Sequence, residues 1–259
     1  MTASVSFDDW VVVACGTLSP ELDYLANTGF LDARGILYTR PGQHDNCEAL
    51  EQQLAEAIDK ARQSADKVIV VYGGRLCYIN RARPERTIDT VLGKLHPHVQ
   101  RTCGDNCVDL LAGKEQRAEM SPSTEVYWIT PGWIEHREYV FGDWDEGLAD
   151  AAFPKYDGGA IVLDAVGYYD RLVEKQPEKL MELSDWMKVS IVPRKVPLSR
   201  LKGLLIDCVI RDLEEQLPTV DGTDGTKRAA MVEKLVAARA ARKALKDPPR
   251  AGTADGEMT

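Results

Sequence analysis

A chain of 259 residues, 44% hydrophobic and 28% charged, has enough apolar surface to bury the core of one large or two small domains. The net charge is −9, and residues 226–250 hold eight Lys/Arg against two acids, so the body is more acidic still, which argues against nucleic acid as a partner. No apolar run approaches the roughly 20 residues of a membrane span, MTASVSFDDW lacks the basic-then-apolar order of a signal peptide, and six cysteines are too sparse for a disulfide framework; a cytoplasmic protein with reduced thiols and no membrane contact is expected.

In chain order, Trp10 to Ala14 reads as a buried strand and Cys15-Gly16-Thr17 as the turn after it. Ser19-Pro20-Glu21 starts a helix, with Ser19 as the cap and Pro20 at the first helical position. Ile36 to Thr39 is a second strand, and Asn46 to about Ser64 a helix with Leu50, Leu54, Ile58 and Ala61 at helical spacing. Lys67 to Tyr72 is a third strand, ended by Gly73-Gly74. A helix over Thr87 to Leu95, a short strand over Val99 to Thr102 and a helix capped by Asp105 or Asn106 follow. The alternation predicts an α/β fold: a mostly parallel sheet with flanking helices, in a single large domain over residues 8–217.

Glu125 to Thr130 is another strand, and GWIEHREYVF reads as helical. Residues 127–156 hold eight of the eighteen aromatic side chains. Residues 159–166 fit a strand or a buried helix, a choice that periodicity does not make over so short a run. A helix from Pro177, a strand over Val189 to Val192 and a helix over Leu198 to Leu213 complete the body. Residues 218–259 read as a linker, a basic Ala-rich helix and a disordered tail.

Parallel sheets bind ligands beyond the carboxyl ends of their strands, and Cys15, Cys77 and Cys107 all fall in or near such turns. Thiolates are soft ligands, so three converging there would hold zinc or an iron–sulfur cluster such as [4Fe–4S] with one position open; Cys103 is a substitute for one of them. The bland alternative is that cysteines simply fill the core. His44, in the loop PGQHDNC, and His136, in the aromatic segment, are the candidate proton-transfer residues; His96 and His98 read as surface. Gly73 and Gly74 would let backbone approach a small-molecule substrate, and Thr130 and Trp133 would lie at the same sheet edge. There is no GxxxxGK[ST], HExxH or GxSxG, which excludes common nucleotide-binding, metalloprotease and hydrolase designs.

As a set, ACGTLSPEL, VVYGGRLCYIN, NCVDLLAG, VYWITPGWIEHR, GGAIVLDAVGYYDR and ELSDWM resemble the bacterial and archaeal family called domain of unknown function 1638 (DUF1638), from about Val11 to Leu213. The resemblance implies that Cys15, Cys77 and Cys107 are the family's recurrent cysteines. It also implies a setting near corrinoid-dependent methyltransferases of one-carbon metabolism. On that basis a methyltransferase-like or thiol-activating enzyme is expected, with a corrinoid as a further cofactor. A non-catalytic accessory protein, docking on a methyltransferase or corrinoid protein through its basic segment, is the alternative.

Overall fold

β1 (Trp10–Cys15), β2 (Gly35–Thr39), β3 (Lys67–Val71) and β4 (Val99–Arg101) form a parallel sheet in the order β2-β1-β3-β4. The computed structural model describes residues 5–44, 46–95, 99–121, 125–220 and 225–246. Side chains alternate across a strand, so each valine run serves two cores. Val11, Val13, Val68 and Val70 pack with Leu50, Leu54 and Ile58 of α2 (Cys47–Arg62) and with Ile88, Val91 and Leu92 of α3 (Ile88–Leu95). Val12, Ala14, Ile69 and Val71 point the other way, into a core with Leu22 and Leu25 of α1 (Ser19–Asn27). The chain leaves β1 towards β2 and returns to β3 on the other side, so the sheet has its switch point between the carboxyl ends of β1 and β3. Crevices for ligands form at such points.

The expectation of one sheet is corrected. β5 (Tyr127–Ile129), β6 (Ala160–Asp164) and β7 (Ile191–Lys195) form a second, separate parallel sheet in the order β5-β6-β7. After the short edge strand β4 the chain runs through α4 (Cys107–Leu111) and α5 (Lys114–Met120) before β5 begins the new sheet. Periodicity identifies strands but not which sheet each joins. Residues 160–164, all buried, are strand rather than helix.

The carboxyl ends of the two sheets meet. α6 (Pro131–Glu135) follows β5, and a β-carbon at its Gly132 would lie 2.3 Å from the Thr17 carbonyl oxygen, so only glycine lets the two backbones touch. Thr130 Oγ1 donates to the same carbonyl at 2.7 Å. GWIEHREYVF, expected as one helix, breaks at His136 into α6 and α7 (Arg137–Val140). Ser19, expected as a cap, is already helical. Leu18 holds the cap position, and Ser19 Oγ donates back to the Gly16 carbonyl at 2.9 Å.

α8 (Glu146–Ala152) and α10 (Pro177–Met187) close the aromatic core of the second half, where Tyr127, Trp133, Phe141, Phe153 and Trp186 meet largely edge to face. α9 (Tyr168–Lys175) starts from buried Asp164, whose Oδ1 accepts the N–H groups of Val166 and Tyr168 and whose Oδ2 accepts that of Tyr169. A carboxylate there satisfies otherwise orphaned donors and complements the helix dipole. Asp164→Ala is expected to cost roughly 2–4 kcal/mol in chemical denaturation, and Asp164→Asn less, because the amide keeps one acceptor.

α11 (Ser199–Gln216) lies on the same face as α1, and α12 (Gly225–Lys246) packs along it. Met231, Leu235 and Ala238 of α12 belong to the main core, and Lys234–Asp9, Arg239–Glu214 and Arg242–Asp207 pair the basic helix with the acidic body. Among the described residues no helix is long and apolar enough to cross a membrane. The expected linker falls partly, and the tail beyond Lys246 wholly, outside the described residues, as do His96 and His98.

Candidate functional site

Cys15 ends β1, Cys77 follows the glycine turn after β3, and Cys107 opens α4; all three line one cavity of about 210 Å³ at the switch point. The turn from β3 is shaped by backbone contact. The Gly74 N–H donates to Gly104 O at 2.6 Å and the Leu76 N–H to Asp105 O at 3.0 Å, which ties the Cys77 loop to the loop before Cys107. Asn106 starts α4 with its side chain accepting the Asp109 N–H at 2.8 Å.

Two of the three sulfurs accept a hydrogen bond from a side chain. Thr17 Oγ1 donates to Cys15 Sγ at 3.2 Å. Trp133 Nε1 donates to Cys107 Sγ at 3.3 Å. The backbones of Gly73 and Cys107 hydrogen-bond Cys77. These bonds lower the thiol pKa values, as only bonds donated to sulfur do. Burial works against them and wins: it raises Cys15, pushes Cys107 up to about 11 with help from the neighbouring Cys15, and raises Cys77 furthest, with Cys107 and then Cys15 adding to it. With no cation present, burial and mutual repulsion of the thiolates both favour the protonated thiols.

The other expected residues divide. Trp133 lines the cavity, and His44 lines both the cavity and an outer cleft of about 970 Å³ beside it. His136 does not line the cavity. Its Nε2 is 3.2 Å from Ser19 Oγ, whose proton goes to Gly16 O, so the imidazole donates and ties α6 to α1. Thr130 is fully buried and spent on the Thr17 carbonyl. Gly73 and Gly74 give close approach, but to the 104–106 backbone rather than to a substrate. Trp128 faces the cavity, whereas Trp144 stacks on Phe153 and faces the outer cleft. Cys103 is exposed beside Arg211, and Cys47 donates to Ile79 O at 3.1 Å.

Sequence reasoning missed Thr17, Tyr72 and Arg40 in the cavity wall. Thr17 and Tyr72 end strand turns already singled out for their cysteines, so their position was a usable signal. Arg40 carried none.

Among the described residues, no three His, Cys, Asp or Glu side chains are gathered as ligands of one metal ion. The thiols share a cavity without closing on a single point.

The profile of the family described as "Protein of unknown function (DUF1638)" matches residues 38–205. The chain belongs to the DUF1638 family. The matched span contains Cys77 and Cys107 and both sheets' inner strands β3 and β6, while β1 with Cys15 precedes it. No curated protein and no solved structure matches this DUF1638 chain.

Proposed function

We propose that the cysteine cavity of this DUF1638 protein holds a soft metal centre, and that an iron–sulfur cluster suits it better than a single zinc ion. The observation that carries this is the gathering of Cys15, Cys77 and Cys107 on one cavity, with side-chain donors aimed at two of the sulfurs. A neutral thiol is a weak acceptor, so the donors from Thr17 and Trp133 are better used on thiolates. Buried thiolates need a cation, and N–H groups aimed at cysteine sulfur also tune iron–sulfur centres. A cluster spreads its ligating sulfurs over several irons, so they need not meet at one point as zinc requires. Held by three cysteines, a cluster supplies one Lewis-acidic iron with no protein ligand.

The chain's own part is to exclude water, orient the sulfurs and shape the approach. Tyr127, Trp128 and Trp133 give the cavity an aromatic wall, and His44 stands where cavity and cleft join. A volume of about 210 Å³ admits a small substrate and not a corrin macrocycle, so a corrinoid would face the site only from the outer cleft. Methyl transfer or thiol activation in a cytoplasmic one-carbon system remains the activity proposed with this site. The accessory-protein alternative is weakened because the basic helix is packed on α11 of the same chain.

Anaerobic reconstitution with iron and sulfide is expected to load about four of each per chain. Cys15→Ala, Cys77→Ala and Cys107→Ala are each expected to lose most of it, while Cys47→Ala and Cys103→Ala retain it. Because raised thiol pKa values mean that binding releases protons, loading should strengthen from pH 7 to pH 9. About one zinc per chain would select the other metal. Less than about half an equivalent of any metal, in aerobic and anaerobic protein alike, would sink the proposal.

A further inference from the structure

We infer that the cysteine cavity takes a small molecule bearing a carboxylate, and that Arg40 is the residue that holds it. Among the described residues, Arg40 is the one arginine or lysine in the cavity wall, and no Asp or Glu lines it. Its guanidinium has no ion pair or hydrogen bond among the described residues. Its recorded contact is with the Tyr139 ring, 4.9 Å from the centroid, while its backbone N–H is fixed by Gln53 at 2.9 Å. The chain after β2 thus presents a planar fork of donors, unpaired among the described residues, at the rim of the cavity.

The rest of the wall limits what that anion is attached to. Leu50, Leu76, Val108 and Val140 line the cavity together with its aromatic wall, so the body of the ligand is apolar or flat. A singly charged carboxylate matches the guanidinium with two parallel hydrogen bonds and loses less hydration in such surroundings than a phosphate dianion. Arg81, Arg83 and Arg86 line the outer cleft, but Glu48, Glu51 and Asp143 do so too, and Glu51 pairs with Arg86; the cleft has no net preference for anions. The preference arises at Arg40. In this arrangement the carboxylate stays at the rim and the apolar end reaches the sulfurs, and only the choice of reacting end rests on the proposed metal centre.

Benzoate, benzamide and inorganic phosphate are suitable probes, titrated calorimetrically into both metal-free and reconstituted protein. Benzoate is expected to bind saturably and at least tenfold more tightly than benzamide. Arg40→Gln should lose at least tenfold in benzoate affinity, and Arg40→Lys should lose less, keeping the charge without the fork. Equal affinity for benzoate and benzamide, absence of benzoate binding, tighter binding of phosphate, or an unchanged Arg40→Gln would each overturn the inference. Equal affinity is also the result expected if Arg40 only offsets thiolate charge. Should Arg40→Gln fail to fold, the benzoate-to-benzamide ratio of the wild-type protein decides. Iron content tests the metal centre alone and the titration of metal-free protein tests the anion site alone, so either can fail without the other.

Discussion

Gly73→Ala is expected to destabilise the protein by at least about 3 kcal/mol and to abolish metal loading at the cysteine cavity. A β-carbon at Gly73 would stand 2.3 Å from Asn106 Cα, 2.6 Å from its nitrogen and 2.6 Å from Cys77 Sγ. Two of those atoms are backbone at the start of α4, so no side-chain rotation relieves the clash. The loops carrying Cys77 and Cys107 would have to part, and the Gly74–Gly104 and Leu76–Asp105 hydrogen bonds with them. Gly74→Ala is the internal control. Its β-carbon would meet the Gly104 oxygen at 3.2 Å and the Arg101 guanidinium at 3.5 Å, an ordinary contact distance, so it should cost much less. Urea denaturation and iron analysis of both variants check the pair. A Gly73→Ala protein with wild-type stability and full iron would show that the loops are not locked together as described.

The second large effect belongs to Glu21. Its side chain is fully buried in α1, and neither carboxyl oxygen makes a hydrogen bond. Burial raises its pKa from 4.5 to about 8; its own backbone N–H lowers it slightly, and ionised Asp164 adds to the rise. At pH 6 the folded state therefore holds a proton that the unfolded chain has released. Stability falls as pH rises from about 4.5 through about 8 and is level above that, with a ceiling of about 5 kcal/mol for this one group. Glu21→Gln removes the titration. Chemical denaturation at pH 5, 7 and 9 should give the variant a flatter profile, and at pH 9 it should exceed the wild-type protein by a few kcal/mol. Parallel profiles for the two proteins would refute the assignment. Asp164→Ala should also weaken the pH dependence, and because the two carboxyl groups interact its effect should not simply add to that of Glu21→Gln.

These two residues lie on opposite sides of what the sequence discloses. Gly73 sits after an apolar run in a glycine pair, and a tight approach there is expected from residue type alone, although the partner turned out to be backbone rather than ligand. Glu21 gives no such sign. An acidic residue in the first turn of a helix reads as an exposed complement to the dipole, and only the docking of the second sheet against α1 buries it.

The same division holds for the whole molecule. Strands β1, β2 and β3, the helices α1 and α2 between them and the turn positions of Cys15, Cys77 and Cys107 follow from local pattern, because valine-rich runs, helical spacing and glycine breaks act over a few residues. Local pattern also placed TPGW at the end of a strand, and so put Trp133 near the thiols. Tertiary structure alone decided that there are two sheets, that they meet carboxyl end to carboxyl end at Thr17 and Gly132, and that His136 and Thr130 tie the halves together instead of facing the cavity. It alone aimed Trp133 Nε1 at Cys107 Sγ and left Arg40 without a counter-charge among the described residues. The joins at Thr17 and His136 bring segments more than a hundred residues apart into contact, and no spacing within one segment encodes that.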